Sequence, residues 1–296
     1  MSSQPWSEGT PASVLLATDL SVRCDRALDR AAQLAGEWQA LLVGVNVLEI
    51  AQAPDLVLGW VGERDDASLA RFAEQQLQQD LSGLDVQVRL RIERGEPVQA
   101  IAQAARETGS ALVVTGAASN ESWGRLLLGS TLESLARQLP QPLLVVRQRP
   151  RGRYQRILVA TDFSDSSRHA LHAAARYFPD RELVLYHTTE APLSDRLERV
   201  IDAETRRHIE EGDYAAFLSA SDLPDEARKR TRIVIEQGSL GAALSRYVRE
   251  HAVDLVVMGT HGRSGLMNVL LGSAASELLQ WVPCDTLIVR EPRAAD

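Results

Sequence analysis

Two glycine-spaced loops carry the residues of this chain best suited to chemistry. Near the C-terminus the sequence reads Gly259-Thr-His-Gly262, nine further residues, and then Gly272-Ser273. Gly259 follows the apolar run 255–258, so the backbone can turn sharply there and admit a ligand where a Cβ would otherwise stand. Gly262 offers a second such position. Gly272-Ser273 precedes Ala274, Ala275, Leu278 and Leu279, an apolar pattern at helical spacing. A Gly-Ser pair that opens a helix supplies free backbone N–H groups, a hydroxyl and the positive end of the helix dipole. The parts add up to an anion-binding concavity at the carboxyl end of a strand.

The same loop stands 143 residues upstream in altered form: Gly116-Ala-Ala-Ser119, nine residues, Gly129-Ser130. Other pairs share that offset, among them Thr18-Asp19 with Thr161-Asp162, Gly95 with Gly238 and Arg147 with Arg290. The chain therefore reads as a duplicated domain. The first strand of each half ends in a carboxylate, as Ala17-Thr18-Asp19-Leu-Ser21 and Ala160-Thr161-Asp162-Phe-Ser164. Such a carboxylate can accept hydrogen bonds from an adenine amino group or a ribose hydroxyl. Alternatively, Asp162 and Ser164 cap the next helix. The common nucleotide motifs GxxxxGK[ST] and GxGxxG are both missing.

The elements that must position these residues alternate. Short apolar runs at 14–17, 41–47, 86–92, 111–115 and 143–146 recur in the second half at 157–160, 183–186, 231–235, 255–258 and 286–289. They are β-branched and Leu-rich with little polar alternation, as in parallel strands covered on both faces. Helical patterns lie between them, for example Ala27, Ala31, Leu34, Ala35 and Trp38, and Pro97 suits a first helical position. Each half reads βαβαβαβαβ, a doubly wound open sheet. The expected domains are 1–150 and 151–296, joined at the arginine-rich stretch 148–153. Taking His187 as the counterpart of Asn46, the second half is two residues shorter between its first two strands. The halves diverge most at 50–83 against 190–224.

Composition excludes several classes. A net charge of −8 argues against a general nucleic-acid binder, which needs excess Lys and Arg to neutralise phosphates. The two cysteines, Cys24 and Cys284, form no metal or redox spacing and read as reduced, unpaired thiols of a cytoplasmic protein. The N-terminus does not read as a signal peptide, and no apolar stretch approaches the ~18 residues of a membrane span.

Taken together, the strand-end Thr-Asp-x-Ser and Gly-x2-Gly-x9-Gly-Ser resemble the universal stress protein family, twice over and across nearly the whole chain. The resemblance implies a five-stranded parallel sheet of order 3-2-1-4-5 in each half and an intramolecular pseudo-dimer through the last strand of each domain, with further homodimer formation left open. It also implies ATP, with Mg²⁺, as a ligand in the second half. There Asp162 would meet adenine or ribose, Ala160 and Thr188 would flank the base beside Thr161, and Met258 and Gly259 would line the ribose and phosphate side. Gly262, Gly272, Ser273 and Ala274 would hold the phosphates. In the first half Ala17, Asp19, Val47, Gly116, Gly129, Ser130 and Thr131 match the pattern. Ser119 replaces the second glycine, so binding there is expected to be weaker or absent.

His261 and Arg263 either reach the phosphates or are exposed loop residues, and Trp123 either covers the first site or packs. His169 and His172, three apart on a helix, read as structural or exposed, as does the strand-end His187. No Ser/His/Asp or Cys/His arrangement supports nucleophilic catalysis. The functional expectation is an ATP-binding stress-response sensor or adaptor. A nucleotide-independent interaction module and a slow ATPase or autokinase are the alternatives.

Overall fold

The computed structural model of the chain describes residues 9–22, 24–48, 66–117, 121–122, 125–126, 129–189, 203–261 and 272–291. The chain forms two compact units. One contains Pro11–Ala118 and Ser130–Arg153; the other contains everything from Tyr154 onward together with the described residues Gly9–Thr10 and a small antiparallel arm, Glu121–Ser122 with Arg125–Leu126.

In the first unit β1 (Ser13–Thr18), α1 (Asp25–Trp38), β2 (Leu41–Leu48), α2 (Asp66–Asp80), β3 (Val88–Arg94), α3 (Pro97–Glu107), β4 (Leu112–Gly116), α4 (Ser130–Gln138) and β5 (Leu143–Val146) follow in order. The second repeats the plan. It has β6 (Ile157–Ala160), α5 (Asp165–Tyr177), β7 (Leu183–Thr189), α6 (Ala203–His208), a π-helical turn (Ile209–Tyr214), α7 (Ala215–Ala220), α8 (Asp225–Lys229), β8 (Thr231–Gln237), α9 (Leu240–Glu250), β9 (Leu255–Gly259), α10 (Ser273–Trp281) and β10 (Asp285–Val289).

Within each unit the sheet is parallel with strand order 3-2-1-4-5, as expected. The central strands are fully buried: Val14, Leu15 and Leu16 in β1, and Leu158 and Val159 in β6, have no exposed surface. The outer strands β3 and β8 are only half covered. They have a neighbour on one side alone, so charged residues occupy them; Arg91 bonds both Glu93 and Glu107 at 2.7 Å. The expectation of two-sided burial fails at these edges for that reason.

The helices follow their apolar stripes. α1 buries Ala27, Ala31, Leu34, Ala35 and Trp38. α3 begins at Pro97, and the Glu96 carboxylate caps it by accepting from the N–H groups of Val98 and Gln99. In the second unit the Tyr154 hydroxyl donates to the fully buried Asp285 carboxylate at 2.6 Å, tying the entrance of β6 to the start of β10.

Strand register makes the two halves superposable in sequence. Ala17 pairs with Val45, and Ala160 pairs with Tyr186. Asn46 and His187 are thus equivalent, as are Val47 and Thr188. In each unit the chain leaves the first and fourth strands in opposite directions, and the crevice beyond their carboxyl ends is where open α/β sheets bind ligands.

Candidate functional site

In the second unit the chain leaves β6 through a turn locked by short-range hydrogen bonds. The Thr161 hydroxyl is buried; it accepts from the Phe163 N–H at 2.9 Å and donates to Ser167 Oγ at 3.0 Å. Asp162 Oδ1 accepts from the Ser164 N–H at 3.1 Å. Ser164 is the N-cap of α5, accepting from the Ser167 N–H. The capping reading therefore holds for Ser164, while Asp162 pins the turn and also faces the cavity described below.

Phe163 sits at φ 63°, a left-handed conformation that costs a non-glycine residue roughly 1 kcal/mol. Its ring lies tilted against His187, with centroids 4.6 Å apart, and meets Phe217 edge-on at 5.6 Å. His187 Nδ1 lies 2.9 Å from the Thr161 carbonyl. A carbonyl only accepts, so Nδ1 carries the proton. His187 thus holds the turn in place, as its strand-end position suggested.

On the opposite side, Gly259 closes β9. A Cβ there would stand 2.3 Å from Ser166 Oγ and 2.7 Å from the Ser166 carbonyl oxygen. The glycine thus admits the close packing of α5 against the strand. Gly272 has an ordinary φ of −57°. Its own N–H donates to the Thr260 carbonyl at 2.9 Å, and a Cβ would lie 3.0 Å from that oxygen. α10 then starts at Ser273 with no side chain capping it, so its first N–H groups are available as anion donors. His261 is held by Thr260 Oγ1 at 2.9 Å and by a backbone bond to Ser166 Oγ. Its buried Nε2 has no hydrogen-bond partner among the described residues.

These groups surround a cavity of about 490 Å³. Ala160, Thr161, Asp162 and Thr188 line it from the first two strands, and Met258 and Gly259 from the fourth. Gly272, Ser273 and Ala274 line it from the start of α10. Gly262 and Arg263 lie outside the described residues. The cavity also takes in Ser167, Leu240, Ala275 and Leu278. Sequence reasoning missed these four because Ala275 and Leu278 read as core positions of a helix, and Leu240 opens one whose role lay in packing.

The first unit repeats the turn and closes the space. Asn46 Nδ2 donates to the Thr18 carbonyl at 2.9 Å, in the role of His187. Leu20 takes the left-handed position with φ 59°. Asp19 Oδ1 accepts from the Ser21 N–H at 2.9 Å and from Cys24 Sγ at 3.2 Å. Burial works to raise the Asp19 carboxyl, but the bonds from Ser21 and Cys24 outweigh it and hold the group below the usual carboxylate value. The same pair pushes the Cys24 thiol up to about 11, through burial first and the Asp19 charge besides.

The cavity here is about 200 Å³. Ala17, Asp19, Val47, Gly116 and Thr131 line it, and Gly129 and Ser130 stand outside its lining. Among the described lining residues that differ between equivalent places, Leu132 stands where the second half has Ala275 and adds bulk, Cys24 stands where it has Ser167, and the smaller Thr115 stands where it has Met258. Leu132 is 3% exposed and occupies the space beside the start of α4. Ser119 and Trp123 lie outside the described residues.

The second cavity has apolar walls, one carboxylate and converging N–H donors, which suits a flat polar ring joined to an anion. Its volume lies within the roughly 300–1,000 Å³ of small-molecule sites, and the first cavity falls below it. No cluster of three metal-ligating side chains occurs among the described residues. Nor is any described helix long and apolar enough to cross a membrane.

Fold and site together define a doubly wound α/β protein with a crevice at the strand ends of each half. The chain belongs to the universal stress protein family, whose description matches residues 12–147 and again 153–290. A universal stress protein of Mycolicibacterium smegmatis is 26% identical over 95% of this chain and 98% of its own length. Universal stress protein YxiE of Bacillus subtilis is 28% identical over 46% of this chain and 99% of its own. Among solved structures, a universal stress protein from Archaeoglobus fulgidus has the same fold, with a TM-score of 0.66, 19% identity and coverage of 94% and 98% of the two chains.

Proposed function

We propose that the chain is a stress-response sensor or adaptor that binds ATP in its second half. The observation that carries this reading is the set of polar groups around the 490 Å³ cavity: the N–H donors at the uncapped start of α10 at Ser273 on one side, and the Asp162 carboxylate on the other. Anionic phosphates suit the first set through charge-assisted N–H bonds. The Asp162 carboxylate suits donors of the ribose or the adenine amino group, and Ala160, Thr188 and Met258 suit the face of the base. Mg²⁺ would enter with the phosphates, keeping water and phosphate oxygens as ligands. Asp162 is held to the turn by Ser164, and the cavity's described groups are arranged to hold a ligand, so binding is the reading proposed here.

Equilibrium binding of labelled ATP in the presence of Mg²⁺ tests this. Saturable binding that weakens about tenfold in Asp162→Asn, as loss of one charged acceptor implies, is expected. No saturable binding at millimolar nucleotide would reject it. Gly259→Val is unsuited to separating nucleotide-dependent from nucleotide-independent roles, because its side chain would collide with Ser166 whether or not a ligand binds.

A further inference from the structure

A second, larger recess lies in the same unit, away from the nucleotide cavity. It is a cleft of about 1050 Å³ between α5 and the turn joining α7 to α8. Its walls are apolar where they are deepest: Leu223 and Ala227 are each 5% exposed, and Ala175 and Pro179 line the α5 side.

Three guanidinium groups line the cleft; that of Arg168 is ion-paired with Asp165, which leaves two. Arg176 reaches it from α5 and Arg230 from the end of α8. Each uses its Nε–H on a backbone carbonyl: Arg176 on Gly9 at 2.8 Å, Arg230 on Glu226 at 2.9 Å. That bond fixes the plane of the fork and leaves the four terminal N–H groups. Among the described residues neither guanidinium is ion-paired. The carboxylates nearest to hand are engaged elsewhere, Asp165 with Arg168 and Glu226 with Lys229. Asp222 and Glu291, also at the cleft, are exposed, and their fields are screened by solvent.

Half-buried arginines tethered through Nε, with their forks unpaired beside an apolar wall, are organised for bidentate binding of an anion. We propose that this cleft binds a small organic anion, a carboxylate or phosphate ester carrying an apolar body, with Arg176 and Arg230 as its anchoring groups. The nucleotide cavity and the cleft share α5: Ser167 faces the one, Arg176 the other.

Isothermal titration of the full chain with phenyl phosphate, benzoate, inorganic phosphate and benzyl alcohol tests the assignment. Saturable binding of phenyl phosphate or benzoate is expected, and the tighter of the two identifies the anionic group. Inorganic phosphate should bind more weakly and benzyl alcohol not at all. The double variant Arg176→Gln, Arg230→Gln should weaken binding at least tenfold. Arg176→Lys keeps the charge without the fork and should weaken it about threefold, while leaving circular dichroism unchanged. Saturating MgATP should not displace the anion. Absence of saturable binding of both organic anions at about 10 mM would overturn the proposal. So would undiminished binding in the double variant, equal binding of inorganic phosphate, or displacement by ATP.

Discussion

At the end of the first strand of each half the same turn presents a carboxylate to a cavity, yet the second cavity is about 490 Å³ and the first about 200 Å³. The scaffold is not the cause. Asn46 and His187 satisfy the same carbonyl at 2.9 Å, Leu20 and Phe163 take the same left-handed conformation, and the flanking strands pair in the same register. Among the described residues, side chains facing the crevice differ. Leu132 in place of Ala275 fills it from the helix, and Cys24 in place of Ser167 ties up the carboxylate at 3.2 Å. A duplicated fold can keep its framework while side chains narrow one crevice, since a buried leucine adds to the core.

The largest effect that would break or sharpen this comparison concerns the framework itself. Gly259→Ala places a Cβ 2.3 Å from Ser166 Oγ and should destabilise the second half by about 3 kcal/mol in urea denaturation. A loss under about 0.5 kcal/mol would mean that α5 shifts freely, and that the cavity wall is not rigid.

Next is the thiol that distinguishes the first half. With Cys24 raised from 9.0 to about 11, its thiolate fraction near pH 8 should be roughly a hundredfold lower than that of an ordinary thiol, and its alkylation by iodoacetamide correspondingly slow. Labelling of the native chain as fast as of the urea-unfolded chain, followed by mass spectrometry, would contradict the Asp19–Cys24 geometry.

Converting one cavity toward the other gives a smaller effect. Ala275→Leu copies Leu132 into the second half and should weaken ATP binding about thirtyfold, or 2 kcal/mol. Unchanged affinity would remove cavity filling as the explanation of the asymmetry.

The smallest effect is in acid. His172 has Asp29 at the equivalent place in the first half. Burial, then the charges of His169 and Arg168, lower the His172 pKa from its usual 6.5. The unfolded chain therefore takes up the proton first, so the contribution of His172 to stability is present above pH 6.5 and declines as pH falls toward the depressed folded value. The urea midpoint of the second-half transition should drop between pH 7.5 and pH 5.5, and His172→Gln should flatten that slope. A steeper slope in the variant would reverse the sign of the argument.

Much of this was legible in the sequence. The apolar runs located all ten sheet strands because parallel strands bury both faces, and the 143-residue offset located the second copy of each turn. Strand ends were less legible: β7 and β8 continue to Thr189 and Gln237 through polar residues paired by neighbouring strands rather than selected for burial. Of the expected lining residues in the second half, all those within the described segments converge on one cavity. Gly259 lines the cavity as expected, but its second role, admitting α5, was hidden, because a glycine that admits a helix and one that admits a ligand look alike in one dimension. The filling of the first cavity was hidden for a similar reason. Leu132 fits a helical apolar pattern as well as Ala275 does, and only packing shows which of the two leaves room. Ser119, which sequence reasoning made the mark of asymmetry, lies outside the described residues.

The central claim is that one half keeps a ligand site and the other has closed it. Native mass spectrometry of the full chain with MgATP tests this most directly. One ATP per chain is predicted, disappearing in Ala275→Leu. Two nucleotides per chain, or one that survives Ala275→Leu, would contradict it.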